Sequence, residues 1–400
     1  MRQRERESFL QTSVKLLSFF LLGCALFIPC VPTPVYADGG APNLAYVAGA
    51  RPGVDVIDIA QQRVASSFAV AGNPDMLLLS PDGSLLYVTR PGSGSVVALA
   101  AKTGQVICSA AFPGHPALLA LSVDATVVYV AGLDETAILA LNAQTCAQER
   151  SFQAPEPVHW LAATLSNTAG DAPRTQLWVA GTGTVSILDD KGQARDSIPV
   201  AGDPQFLCLP GALTAYVATR QGSVIALDML THRVIATLLT GGVFGAMDYN
   251  AVTGEIYIPD QRRKQLDVLA PVLSGMAAVP REPSSTWPVS AAPQAVAITN
   301  DGQLGFVALN SGHVLLLDLP GRSVMKSVDV GGNPRFIIAG AYPPPTVPLP
   351  VAQASSVPAF VIVGVVVALL VLLMGAICGV FWYLKRRKTQ SFFKASSAKS

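Results

Sequence analysis

Apolar positions along this chain fall into short runs separated by turn residues, from about residue 44 to residue 341. The stretch NPDMLLLSPDGSLLYVTR (Asn73 to Arg90) shows the unit: an apolar run, a tight-turn signal, a second apolar run. Runs this short, bounded by Gly, Pro, Asn and Asp, predict β-strands rather than helices. A close copy, NDGQLGFVALN, begins at Asn300. Between the two, one mark recurs: an aromatic, a β-branched residue, then usually a small one. It stands at Tyr46, Tyr87, Tyr129, Trp178, Tyr216, Tyr257 and Phe306, with gaps of 41, 42, 49, 38, 41 and 49 residues.

Around each mark the order is constant. A Gly-x-Pro turn or a variant comes first (Gly72, Gly114, Gly202, Ala292, Gly332), then an apolar run and an Asp-Gly type turn such as Pro81 to Ser84. The aromatic strand follows, then a third strand ending near Leu-Asp, a turn, and a more polar fourth strand. Four short strands in about 42 residues cannot bury both faces alone, but units set radially can pack on one another. The first mark lacks a preceding inner strand, and the last repeat stops after GNPRFIIAGA. Together these fragments complete one blade, with the C-terminal strand inside and Leu44 to Val70 supplying the other three. The expected fold is all-β, a seven-bladed β-propeller closed by its N- and C-terminal strands, covering residues 38–342. Six or eight blades and a β-helix are the competing architectures; a 40-residue period argues against the last.

The seven marks, with NPDMLLLSPDGSLLYVTRPGSGSVVALAAKTGQV as the fullest copy, resemble the YVTN family of β-propeller repeat proteins of prokaryotic surface-layer and secreted type. That resemblance spans Leu44 to Ala341 and implies the fold; its motif is structural and carries no active site. Two repeats depart from it, one by the insertion NTAGDAPRTQ before Trp178, the other by LSGMAAVPREPSST before Trp287. A special function is expected at these insertions.

Composition bears mainly on the two ends. With 13% charged residues, 50% hydrophobic residues and a net charge of +1, the chain is too apolar for disorder and too balanced for a nucleic-acid partner. A basic start followed by LLSFFLLGCALFI and VYA reads as a signal peptide over residues 1–37, cut after Ala37. An uncleaved anchor and a lipoprotein signal at Cys24 are the alternatives. The 25-residue apolar run Phe360 to Leu384 is long enough to cross a bilayer and is followed by Lys385, Arg386, Arg387 and Lys388. It predicts a transmembrane helix over residues 359–384 and a basic cytoplasmic tail over 385–400, with the rest outside the cell membrane. Residues 343–358 read as a Pro-rich stalk. No Asn-x-Ser/Thr acceptor occurs, which weighs against a eukaryotic surface protein. Outside these ends lie Cys108, Cys146 and Cys208, an odd number at irregular spacing; small apolar fillers are expected, with a Cys108–Cys146 bond as the alternative.

Candidate chemistry is sparse. In a propeller the fourth-to-first and second-to-third connections share one face around the channel mouth, where loops converge. The residues expected there as ligand-binding are Asn73, Asp75, Arg90, His115, His159, Asp203, Arg220, Arg262, Asn333 and Arg335, with Asp134, Glu135, Glu156 and Gln205 beside them. His115 and His159 hold related places in adjacent repeats: with Asp203 they could bind a metal, or each could bond a backbone carbonyl. No third histidine or carboxylate-rich spacing supports a metal, and no nucleophile, phosphate-cradle or cofactor motif appears. His232 and His313 read as surface residues. The short basic cluster DQRRKQ, Asp260 to Gln265, could dock an anionic cell-wall polymer. The expected function is a membrane-anchored, non-catalytic binding or scaffold module for a cell-wall polymer or surface protein. A lactonase-like or cofactor-bearing propeller enzyme and a self-associating surface-layer component are the alternatives.

Overall fold

The computed structural model describes residues 44–340, except 59, 167–173 and 212. The segments read as signal peptide, stalk, membrane span and tail lie outside them, as does most of the first insertion. Among the described residues no helix is long and apolar enough to cross a membrane.

Seven four-stranded antiparallel sheets stand side by side, six built of consecutive strands in order and one that joins the last strand to the first three. Blades are numbered here along the chain and strands from inner to outer. In blade one the inner strand is Phe336–Gly340 and the others are Leu44–Ala48, Val54–Asp58 and Arg63–Phe68. The register is Leu44↔Gly340 through Ala48↔Phe336, so the ring closes as the incomplete repeats at the two ends predict.

Alternate residues on each strand face opposite neighbours, so both faces of every blade are covered. Val54 and Val56 pack with Leu77, Leu86 and Leu99 of blade two, whereas Ala45, Val47 and Ile57 pack with Val314 and Leu316 of blade seven. Between inner and second strands the Ser-x-Asp turns are held by side chains. Ser80 Oγ donates to Asp82 Oδ1 at 2.5 Å and accepts the Leu85 N–H at 2.9 Å. Ser122 with Asp124, and Thr299 with Asp301, repeat the device. Gly332 has φ +59, and a Cβ there would lie 1.5 Å from the Ala50 carbonyl oxygen, so only glycine fits this turn.

The recurrent aromatic does more than fill space, because its polar tip ties one blade to the next. Tyr46 donates to Ala101 O at 3.1 Å, Tyr87 donates to Ala143 O at 2.8 Å, and Tyr216 accepts the Val272 N–H at 2.8 Å. Each partner sits just past the third strand of the following blade. Tyr87→Phe is expected to lower stability by about 1 kcal/mol, the usual worth of a buried hydrogen bond. Urea unfolding of the two proteins measures it.

Cross-blade seams also correct two expectations. Cys108 and Cys146 are not separate apolar fillers; they form a disulfide with Cα atoms 5.7 Å apart. Cys108 lies on the outer strand of blade two and Cys146 in the turn before the outer strand of blade three. Only Cys208 remains as a free cysteine among the described residues, and it is buried. His232 is not simply a surface residue either. It is four-fifths buried at the seam of blades four and five, with Nδ1 2.6 Å from Asp196 and its ring edge-on to Trp178.

Candidate functional site at the channel mouth

Blade four lacks the Gly-x-Pro turn that opens most other repeats. The outer strand of blade three, Gln148–Val158, therefore runs almost directly into the inner strand of blade four, Trp160–Leu165. His159 is the single residue between them, and it is buried. Its Nδ1 lies 2.8 Å from Pro204 O, at the start of blade five, and so carries a proton toward that carbonyl. Its Nε2 lies 3.2 Å from Asp134 Oδ1. Asp203 Oδ1 is 3.1 Å from Nδ1, but the ring N–H is aimed at Pro204, and this oxygen is buried without a hydrogen-bond donor. The other Asp203 oxygen accepts from Arg220 Nε at 2.9 Å. Gln205 completes the group, with Oε1 3.5 Å from an Arg220 nitrogen. Asp134 and Asp203 occupy left-handed turn positions, φ +60 and +64, which short polar side chains tolerate.

The remaining expected site residues are spread around the same mouth. Asp75 pairs with Arg335 at 3.3 Å; burial pushes its carboxyl up, and the Arg335 charge partly opposes this. Asn73 and Asn333 are exposed in their turns, Asn73 with φ +58. Arg90 Nε is buried and has no hydrogen-bond partner. Arg262 donates to Gly241 O at 3.3 Å, while Arg263 is tied to Asp260 at 2.6 Å. His115 is exposed, with Nδ1 3.1 Å from Pro91 O and its backbone N–H donating to Glu135 at 3.0 Å.

His115 and His159 thus each take a backbone carbonyl. His115 reaches back to blade two and His159 forward to blade five, so the two do not form a pair. The two nitrogens of His159 face different carboxylates on opposite edges of the ring. Among the described residues no group of three His, Cys, Asp or Glu side chains could hold a metal ion.

Beneath the polar rim lies an apolar floor that sequence reasoning missed. Phe336, Trp160 and Phe206 hold the same register position on the inner strands of blades one, four and five, opposite Ala48, Ala180 and Ala218 of their second strands. Trp160 stands 5.1 Å from Phe206 and 6.2 Å from Phe336, centroid to centroid. Blades one and four are not neighbours, so the second contact crosses the channel. The rings have room because blades six and seven present small residues: Ala246 bridges Ala295 there, and a Cβ on Gly245 would lie 2.1 Å from Gln294 O. The one available signal was a column in the repeat alignment where large and small residues trade places.

Below the floor, Asp248 fastens blade six to blade seven. Its carboxylate accepts the Ile298 N–H at 2.7 Å and the Tyr249 N–H at 2.8 Å. Burial raises its pKa from 3.8 to about 6 despite these bonds. The buried Cys208 thiol is pushed well up, by burial and then by the Asp248 charge. For Asp248 the folded protein holds the proton more tightly than the unfolded chain. Its contribution to stability is full below about pH 4 and is lost as pH rises through about 6, a change on the order of 3 kcal/mol. Asp248→Asn is expected to flatten the melting temperature across that window relative to wild type, a difference that cancels other titrating groups.

Neither departure from the regular repeat starts from this mouth. The strands that flank the first insertion end at Leu165 and restart at Thr175 on the opposite face, and the segment before Trp287 joins third to outer strand on that same face. That face also carries a shallow cavity of about 520 Å³ between blades two and three, lined by Asp82, Tyr87, Asp124 and Asn142 among others.

Fold and mouth define a seven-bladed propeller whose ring is closed by its terminal strands. No protein-family model and no curated protein matches the chain. Solved structures do resemble it. A functionally unknown protein from Desulfotomaculum acetoxidans superposes with TM-score 0.61 at 13% identity, covering 74% of this chain and 99% of that one. Dihydro-heme d1 dehydrogenase NirN, in complex with DHE, gives 0.54 at 15% identity, over 74% of each chain. Kuenenia stuttgartiensis hydrazine synthase gives 0.51 at 14%, over 66% of this chain and 88% of that one. At such identities the likeness is one of fold alone.

Proposed function

We propose that this chain is a membrane-anchored, YVTN-like propeller of a prokaryotic cell surface that binds a polyhydroxylated wall polymer at its channel mouth without transforming it. The carrying observation is the cluster of His159, Asp134, Asp203, Gln205 and Arg220 standing over an aromatic floor. Its charged groups are tied to one another and to backbone carbonyls, an arrangement suited to holding positions rather than to exchanging protons. Carboxylate and guanidinium edges bond paired hydroxyls, and aromatic faces accept the apolar side of a sugar ring. The apolar run Phe360 to Leu384 with its basic flank supports the anchor.

The test uses the full-length chain in detergent and purified cell-wall polysaccharide in a sedimentation assay. The Asp134 and Arg220 side chains are exposed, so alanine there removes no core contact, and a melting curve checks the strain of a left-handed alanine at 134. Each substitution is expected to weaken binding about tenfold, the effect of removing roughly 1.4 kcal/mol of polar contact. Undiminished binding moves the site elsewhere. Product formation that Asp134→Ala abolishes replaces the binding reading with an enzyme.

A further inference from the structure

Charge is unevenly shared around the mouth. Blades three and four bring carboxylates to it, Asp134, Glu135 and Glu156, and among the described residues no lysine or arginine. The turn between the second and third strands of blade six carries three cations in succession, Arg262, Arg263 and Lys264. The equivalent turn of blade five carries Arg220. Elsewhere among the described residues of this face no turn holds more than one cation: Arg51, Arg90 and Arg335 each stand alone in theirs. The three cations of blade six are exposed, whereas the carboxylates beneath them are not. Asp260 is fully buried and accepts from Arg263 at 2.6 Å. Asp267 is buried too and accepts from Gln265 Nε2 at 2.6 Å. What this turn shows to solvent is therefore positive.

The turn is also held in place. The Arg263 N–H donates to Asp260 Oδ1 at 3.0 Å, the Gln261 N–H to Val243 O at 2.8 Å, and the Val289 N–H to Lys264 O at 2.9 Å. Arg262 gives one N–H to Gly241 O at 3.3 Å, which positions its guanidinium and leaves its other donors open. Among the described residues nothing bonds the Lys264 ammonium. A cation fixed in advance loses less freedom when it meets an anion than one on a free side chain. A guanidinium fork matches the two unesterified oxygens of a phosphodiester, and an ammonium adds a point charge beside it. Arg220 belongs to the polar cluster around His159 and forms the near end of this sector. A polymer seated at that cluster meets carboxylates if it runs toward blade three and open cations if it runs toward blade six.

We propose that the polymer is anionic, a polyol chain linked by phosphodiesters, and that it leaves the mouth over blade six, where Arg262 and Lys264 bind its phosphates. This rests on the binding reading above and adds the ligand's charge and direction.

The experiment titrates the full-length chain in detergent, by calorimetry, with poly(glycerol phosphate), neutral dextran and polygalacturonate. The phosphate polymer is expected to bind at least about tenfold more tightly than dextran, and to weaken as salt rises from about 50 to about 200 mM. Arg262→Gln with Lys264→Gln should weaken it about tenfold and lower the slope of log affinity against log salt by about two, one for each cation removed. Arg263 is left in place, because its loss would strand the buried Asp260 carboxylate. Lys191→Gln with Arg281→Gln, exposed on the opposite face, removes the same charge and should change affinity less than about twofold. Equal, salt-independent binding of dextran and the phosphate polymer overturns the proposal and leaves the binding reading standing. Binding of none of the three overturns both. Polygalacturonate bound as tightly as the phosphate polymer assigns the turn to charge alone, and equal losses in the two double variants assign the effect to the net charge of the chain; either overturns the proposal.

Discussion

Ile337→Asp is expected to open the ring. Ile337 is central in the strand that closes blade one, paired with Val47 and 2% exposed in the cluster shared with blade seven. The substitution removes an apolar side chain whose burial contributes about 1.5–3 kcal/mol and buries a carboxylate with no cation in that cluster, at a cost of several more. The sum, about 5 kcal/mol or above, is comparable with the whole stability of an ordinary domain. The site cannot relax by sliding, because a one-residue slip would turn Phe336 away from Trp160 and present it to a blade seam. The same chemical change at Val324, 51% exposed on the outer strand of blade seven, serves as the control and should shift stability by less than about 0.5 kcal/mol. Circular dichroism melts and size-exclusion chromatography measure both. A cooperative Ile337→Asp melt within a few degrees of wild type would show that the two ends do not hold the ring.

That closing strand was legible in the sequence because closure is a counting property. An array that lacks an inner strand at its start and has a spare one at its end admits one completion. The Tyr marks were legible for a local reason, since each repeats the same burial on the same strand. Five members of the polar cluster, His159, Asp134, Asp203, Gln205 and Arg220, were placed at the mouth from the position of their turns alone. Which of them meet was not legible. His159 turns toward blade five rather than toward His115 because its ring follows the Pro204 carbonyl, a feature of the next blade's backbone. The aromatic floor was hidden for a related reason. Trp160 and Phe336 are far apart in sequence and meet only across the axis, where no periodicity records the contact.

The Cys108–Cys146 bond shows the same limit in a form that predicts a number. Regular spacing was the wrong criterion, since neighbouring blades meet through unlike positions. The outer strand of one blade lies against the turn after the third strand of the next. Tyr87 bonds Ala143 O across that same seam, three residues from Cys146. A crosslink closing a 38-residue separation restrains the unfolded chain by about 4 kcal/mol at 25 °C on the chain-entropy estimate. For a body of this size that is a drop of roughly 6 °C in melting temperature on reduction or on Cys108→Ser. Cys146→Ser and the double variant should lose the same amount as either single one, because each breaks the same bond. Unequal losses would mean that packing of the separate thiols, and not the crosslink, sets the effect. Peptide-level alkylation of the native protein gives the independent readout, with Cys108 and Cys146 protected unless reduced. Labelling of both without reductant, together with an unchanged melt, would return them to the role of apolar fillers.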